Sequence, residues 1–186
     1  MLESLRTRSQ TRRKAGELYG AVVAQARRPE FYTALGVPDT PVGRYEMVVL
    51  HLFLVLEQLR SAAGGAAPLD RLLVEAFIED MDDSLRELAT GDLSVAKKVR
   101  RAAAGLYDRS MDYRAALADA AEAPLAAALA RYIHDAPGEA EGAEADARLL
   151  ALAAYVRQAV RALSEASPAS AGVRFPDPPS SVEVQR

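Results

Sequence analysis

The chain has 186 residues, of which 50% are hydrophobic, and this composition excludes a generally disordered protein. It contains no cysteine, which excludes disulfide bonds and thiolate metal sites. The longest apolar run, from Met47 to Leu56, is interrupted by His51 and is shorter than the roughly 20 residues that a membrane-spanning helix needs. Alanine and leucine dominate and β-branched runs are scarce, so the composition predicts an all-α fold.

Proline, glycine and capping residues divide the chain into six to seven predicted helices. The first covers about residues 5–28 and ends before Pro29, and a loop follows over residues 29–41. Thr40 and Pro41 are typical of a helix start, and the helix over 42–63 is apolar around most of its circumference. We therefore expect it to be central and buried.

The remaining helices are predicted over residues 68–90, 95–108, 112–122, 124–134 and 145–166. Residues 136–144 read as a loop. From residue 167 onward proline, serine and glycine dominate without periodicity, which predicts a disordered tail over 167–186. The chain is thus interpreted as a single compact helical domain, residues 1–166, followed by that tail.

The net charge of -3 conceals a basic N-terminal region. Residues 1–30 hold seven basic and three acidic side chains, so they carry +4 and the remainder carries -7. Such a region is suited to an anionic surface such as lipid headgroups or ribosomal RNA, although a merely solvated helix face is the alternative. The candidate membrane or ribosome contacts are Arg6, Arg8, Arg12, Arg13 and Lys14.

The helix over 68–90 carries a stripe of carboxylates beside its apolar face. At 100° per residue Asp80, Asp83 and Glu87 share the stripe, with Glu79 and Asp82 close by; we call these five residues the acidic ridge. Like charges this close destabilise a helix unless something compensates them. The alternatives are a basic segment of a partner, a divalent metal, or the basic start of the next helix, which holds Lys97, Lys98, Arg100 and Arg101.

Catalytic motifs are missing from the sequence. His51 lies within the apolar helix and is expected to be a satisfied core residue, while His134 falls at a helix end. No H-E-x-x-H, G-x-S-x-G or phosphate-binding glycine loop is present, so we expect no catalytic site, metal or cofactor. The string Asp80, Asp82, Asp83 resembles acidic motifs of isoprenoid-handling enzymes, which leaves a small metal-dependent enzyme of isoprenoid or quinone metabolism as an alternative.

Arg44 and Glu46 begin the apolar helix and are two residues apart, so they cannot pair with each other on one helix. Arg44 has two alternatives. It either reaches the acidic ridge and ties the two helices together, or forms a recognition surface with Tyr45 and the loop over residues 36–41.

Several of these segments together resemble the ubiquinol–cytochrome c chaperone family. Members share a Y-x-x-L-G-V-P-D-T-x-x-G-R-F-E-M pattern, an apolar helix with a histidine, and an F-x-x-D-M-D-x-x-L-R-E-x-G-V-G-D-x-x-V-x-K pattern. This chain matches from about residue 30 to 115, through Tyr32, residues 35–40 and 43–47, His51, Phe77, residues 80–82 and 85–87, Gly91, Asp92, Val95 and Lys97. It departs at Ala89 and Thr90, which precede Gly91 where members have G-V-G-D.

The resemblance implies a non-enzymatic assembly factor for respiratory complex III that binds newly made cytochrome b and holds it for haem insertion. The mitochondrial relatives also work near the ribosome exit. No specific DNA binding is implied. This chain is more similar to a bacterial member, which would be cytoplasmic and peripheral at the inner membrane; in a eukaryote the corresponding place is the mitochondrial matrix side. The candidate partner-binding residues are Arg44, Tyr45, Glu46, Asp80, Asp82, Asp83, Arg86, Glu87, Asp92 and Lys97.

Overall fold

A computed structural model describes residues 2–61, 67–88, 92–133, 143–165 and 173–182, with side chains described for 6–61, 68–84, 101–133, 147–165 and 173–182. Within these ranges the chain forms seven helices and no strand, which confirms the predicted all-α class. The helices are α1 (Leu2–Ala26), α2 (Glu30–Thr33), α3 (Pro41–Ser61), α4 (Ala67–Leu88), α5 (Asp92–Leu117), α6 (Glu122–Ile133) and α7 (Ala143–Glu165).

Helix α3 is the centre of the bundle, as its all-round apolar sequence predicts. Every residue from Glu46 to Val55 is buried, and α1, α4, α5, α6 and α7 all contact this helix. A helix surrounded by others can bury its whole circumference, whereas a helix at the surface buries a single stripe.

The junction between the loop and α3 explains why glycine occupies positions 36 and 43 and threonine occupies position 40. Gly36 has φ +72°, a left-handed conformation that glycine adopts without a steric penalty. A Cβ on Gly43 would lie 2.0 Å from the carbonyl oxygen of Pro38, so only glycine allows this close approach. The Thr40 hydroxyl accepts a hydrogen bond from the Gly43 N–H at 3.1 Å, which confirms the predicted helix cap.

The structure differs from the predicted elements on α5. The two helices predicted over 95–108 and 112–122 are wrong as separate elements, because one continuous helix spans Asp92–Leu117. Asp112, the first residue of the helix predicted over 112–122, does not cap a helix here: its carboxylate accepts hydrogen bonds from Tyr132 and Arg131 on α6, at 2.5 and 2.6 Å. No glycine or proline interrupts residues 106–117, so the helix continues.

The loop predicted over 29–41 contains the single-turn helix α2, whose Phe31 is fully buried. Beyond α7, residues 173–182 have no regular structure, yet they lie against the bundle, where Val173, Phe175 and Val182 contact the core. The disordered tail predicted from composition does not anticipate these contacts. Residues 167–172 and 183–186 of that tail lie outside the described residues.

Candidate functional site

A groove with a volume of about 1280 Å³ opens where α1, α2, α3, α4, α5 and α6 meet. Aliphatic side chains from three helices line it, together with arginines, tyrosines and carboxylates. Its lining includes Val23, Arg27, Tyr32, Asp39, Val42, Arg44, Tyr45, Val48, Asp80, Met81, Arg101, Asp108, Arg109, Arg131 and Tyr132. The arrangement combines an apolar surface with polar groups, which is the usual chemistry of a binding site.

Predicted site residues from two separate segments meet in this groove. Arg44, Tyr45 and Asp39 come from the start of α3 and the preceding loop, and Asp80 comes from α4. The guanidinium Nε of Arg44 lies 2.7 Å from Oδ1 of Asp39, and both side chains are exposed. Each partner shifts the pKa of the other, since the hydrogen bond lowers the pKa of Asp39 and raises that of Arg44.

Arg44 therefore pairs with the loop, and the alternative in which it reaches the acidic ridge is wrong. The two residues are five apart in sequence and meet because Gly43 brings the loop close to the first turn of α3. The other alternative, a recognition surface with Tyr45 and the loop, stays a prediction.

Glu46 also lines the groove, at its buried inner wall. It is 1% exposed, and its carboxylate accepts hydrogen bonds from Nε and Nη2 of Arg109 on α5, at 2.6 and 2.5 Å. The Arg109 guanidinium also lies 4.4 Å from the ring centroid of Tyr132 and 5.5 Å from that of Tyr45. This buried carboxylate therefore joins α3 to α5, and its role as a partner contact stays a prediction.

Tyr45 is half-buried at the edge of the same cluster. Its hydroxyl donates a hydrogen bond to the carbonyl oxygen of Ala102 at 3.2 Å, and its ring lies 6.3 Å from that of Phe77. Burial raises the pKa of Tyr45. Tyr45 also lines the groove, so the residue both supports the fold and contributes to the site.

The acidic ridge contacts α1. The Tyr19 hydroxyl donates a hydrogen bond to Oδ2 of Asp80 at 2.7 Å, and burial followed by this bond raises the pKa of Tyr19. Arg12 lies 3.8 Å from Glu79, in an exposed pair that stabilises little. Asp83 is exposed. Helix α1 thus supplies compensating contacts that the sequence did not predict.

Other parts of the ridge prediction stay untested. The side chains of Arg86, Glu87, Asp92, Lys97, Lys98 and Arg100 lie outside the described residues. Their roles as partner contacts, or as counter-charges to the ridge, remain predictions. In the part of the chain with described side chains, no group of three or more histidine or carboxylate residues is placed to hold a metal ion.

The basic N-terminal region forms an exposed helix face. Arg6, Arg8, Arg12 and Arg13 are exposed along α1, and Lys14 is partly buried. Arg13 pairs with Glu17 one turn later at 3.3 Å, with both side chains largely in solvent. No helix within the described ranges is long and apolar enough to cross a membrane.

His51 is a core residue, as predicted. It is fully buried, with Nδ1 2.7 Å from the carbonyl oxygen of Met47 and Nε2 2.9 Å from the hydroxyl of Tyr155. Because a carbonyl oxygen only accepts, Nδ1 carries the proton and Nε2 accepts from Tyr155. Burial lowers the pKa of His51 to about 4, so the ring is neutral at physiological pH.

The fold and the groove define a class: an all-helical binding protein with a mixed apolar and charged groove. The chain belongs to the ubiquinol–cytochrome c chaperone family, whose model matches residues 33–171. Among solved structures it is similar to the Cbp3 homolog from Brucella abortus, with 36% identity, a TM-score of 0.76 and 90% of each chain covered. No curated protein sequence matches it.

Family membership makes this protein a non-enzymatic assembly factor that acts on a protein client in the assembly of respiratory complex III. Neither the family nor the solved relative supports the alternative of an isoprenoid or quinone enzyme. The groove, which includes Asp80 of the carboxylate string on α4, is the candidate binding site.

Sequence reasoning missed much of the groove. Arg109 and Tyr132 show no local signal, since Arg109 pairs with a residue 63 positions away. Arg27 was counted among the N-terminal charges but lines the groove instead, and it has no ion pair with a carboxylate of the described side chains. The apolar positions Val23, Val48 and Met81 look like ordinary core positions in sequence.

Proposed function

We propose that this protein binds newly made cytochrome b through the groove and assists its assembly into ubiquinol–cytochrome c reductase. Family membership supports the assembly role. The observation that carries the site is that Asp39, Arg44 and Tyr45 from one matched segment and Asp80 from the other line the same groove. These segments are about 40 residues apart in sequence, so their meeting is a property of the fold.

The chemistry of the groove suits a segment of a membrane protein that has not yet been inserted or packed. Val42 is 39% exposed in the groove, and Val23, Val48 and Met81 continue the apolar surface. Burying apolar side chains of a client there is worth about 25 cal/mol per Å². The arginines and tyrosines at the rim provide hydrogen bonds to the polar ends or loops of the same segment.

Asp83, which is exposed, and Asp82, which is half-buried, extend the surface beyond the groove, and we assign them to basic positions of a client loop. Arg86, Glu87, Asp92 and Lys97 belong to the same proposed contact. The basic face of α1 is proposed to hold the chaperone at anionic lipid, or at ribosomal RNA close to the site of synthesis. We propose accordingly that the protein works at the periphery of the membrane into which cytochrome b is inserted.

The decisive experiment is site-specific photocrosslinking in cells that are making complex III. A photoreactive residue is placed at Arg44 in the groove, at Asp83 on the ridge, and at Gln158 as the matched control, because Gln158 is exposed on α7 and does not line the groove. Adducts with cytochrome b at Arg44 and not at Gln158 support the groove. Adducts at Asp83 alone would move the contact to the ridge.

A second experiment measures client binding and stability separately in a variant of Arg44. The Arg44→Glu variant reverses a charge in the groove and loses only an exposed ion pair, which contributes under about 1 kcal/mol. We expect an unchanged thermal midpoint and weaker co-purification of cytochrome b. Full co-purification with an intact fold would reject Arg44 as a client contact.

A further inference from the structure

Residues 173–182 cross the bundle next to the corner between α1 and α2. We call this segment the strap. It begins after residue 171, where the match to the family ends, and it contacts α1 and α3. Residues beyond the family match therefore contribute to the packing of the domain itself.

A directed chain of hydrogen bonds joins the strap to the central helix. The side-chain amide of Gln25 on α1 donates to the carbonyl oxygen of Pro176 and to the hydroxyl of Tyr155, each at 3.0 Å. The Tyr155 hydroxyl in turn donates to Nε2 of His51, and His51 Nδ1 donates to Met47. Each group has the donor or acceptor role that its neighbour requires, so the chain is self-consistent.

The strap also completes an aromatic enclosure of His51. The ring of Phe175 lies edge-on to the imidazole, with centroids 5.2 Å apart, and Phe31 of α2 lies 5.1 Å away in a second edge contact. Phe31 contacts Tyr155 in the same way at 5.0 Å. Phe175 is thus the member of the enclosure that comes from outside the helices.

An ion pair fastens the strap to the corner. The guanidinium of Arg28, between α1 and α2, contacts both Asp177 of the strap and Glu30 of α2. The neighbours of Arg28 in sequence, Arg27 and Pro29, line the groove. The same short segment therefore faces the strap on one side and the groove on the other.

We propose that the strap is a latch that holds the α1–α2 corner in place and thereby fixes one wall of the groove. The effect on the corner follows from the contacts of the strap alone. The effect on client binding rests in addition on the proposed function of the groove.

The test compares the full chain with a chain that ends at residue 172, using hydrogen exchange of the backbone. Loss of the strap is expected to accelerate exchange over residues 25–33 about tenfold, while exchange over residues 106–113 of α5 stays unchanged. The Phe175→Ala and Asp177→Asn variants are also expected to accelerate exchange over residues 25–33. If the shortened chain fails to fold, these two variants test the latch in its place. Arg174→Ala is the matched control, since Arg174 belongs to the strap but is exposed.

A second measurement follows the histidine directly. In Phe175→Ala, water reaches the ring, and the pKa of His51 is expected to rise from about 4 toward its ordinary value of about 6.5 in an NMR titration. The His134→Gln variant assigns the two histidine signals. An unchanged pKa together with unchanged exchange at the corner would overturn the latch.

Crosslinking at Tyr32 separates the latch from the proposed function. If the full chain gives cytochrome b adducts at Tyr32 and the shortened chain gives far fewer, the latch acts on the groove. If the full and the shortened chain give equal adducts although exchange at the α1–α2 corner is faster in the shortened chain, the proposed effect of the latch on the groove is overturned. Missing adducts in the full chain itself would count against the groove as the client site.

Discussion

Arg109 on α5 and Glu46 on α3 form a buried, bidentate ion pair, with the two N–O distances at 2.5 and 2.6 Å. Glu46 is 1% exposed, and the guanidinium is flanked by Tyr45 and Tyr132. Burial acts to lower the pKa of Arg109, but the hydrogen bonds that Arg109 donates to Glu46, together with the charge of that carboxylate, raise this pKa overall. One side-chain pair thus connects α3, α5 and α6 in the wall of the groove.

Removing one partner of this pair leaves a buried charge without compensation. We expect Arg109→Met to lower the free energy of unfolding by about 3–5 kcal/mol, measured by urea denaturation. The control is Arg131→Met, which loses an exposed pair with Asp112 and costs under about 1 kcal/mol. The double variant Glu46→Gln, Arg109→Met is expected to recover part of the stability lost in Arg109→Met. Equal losses for Arg109→Met and the control Arg131→Met would contradict a special role for the buried pair.

The close approach of the loop to α3 makes Gly43 irreplaceable. In Gly43→Ala the added Cβ would lie 2.0 Å from Pro38 O, so the loop must move, and we expect a loss of about 1–3 kcal/mol in the free energy of unfolding. Gly20→Ala is the control, because a Cβ there meets no atom within 4 Å. Alanine in that exposed helix position should stabilise by about 0.5–1 kcal/mol, so opposite signs are expected in thermal melts.

The buried histidine makes stability depend on pH. The pKa of His51 is about 4 in the folded protein and about 6.5 in the unfolded chain, so the unfolded chain binds more protons between these values. Stability therefore falls as the pH falls through this window, by about 2 kcal/mol for this residue between about pH 7 and pH 5.

Urea denaturation at the two pH values measures this effect. The His51→Gln variant cannot titrate in the window, and its stability should change much less between them even if it is lower at both. The same pH dependence in the variant and in the natural sequence would assign the effect to other groups.

The basic face of α1 predicts binding to anionic vesicles. Replacing Arg6, Arg8, Arg12 and Arg13 by glutamine should weaken flotation with anionic lipid by about 1 kcal/mol per charge near the surface. Arg161→Gln is the control and should change flotation little, because Arg161 is exposed on α7 and is far in sequence from the basic face. The natural sequence should detach as salt is raised, since the Debye length shortens. If the protein does not float with anionic vesicles even at low salt, a lipid contact is rejected. Binding to ribosomes is then the measurement to make.

The sequence predictions were accurate where a feature depends on residues close in sequence, and less accurate where it depends on a tertiary contact. The cap at Thr40, the end of α1 before Pro29 and the burial of His51 all follow from residues within one or two helical turns, and the structure confirms them. The break predicted before Asp112 is wrong for the complementary reason. An aspartate that is suited to a cap is equally suited to a tertiary contact, and here α6 provides that contact.

By itself the sequence determined the helical class, the central position of α3 and the segments that identify the family, because periodicity, capping and motif spacing are local properties of the chain. Only the tertiary structure decided that Glu46 is buried against Arg109, that Arg44 faces Asp39, and that the strap closes over His51. These pairs depend on how the helices cross. The charge pattern allowed several partners for each residue, and packing around α3 selected one.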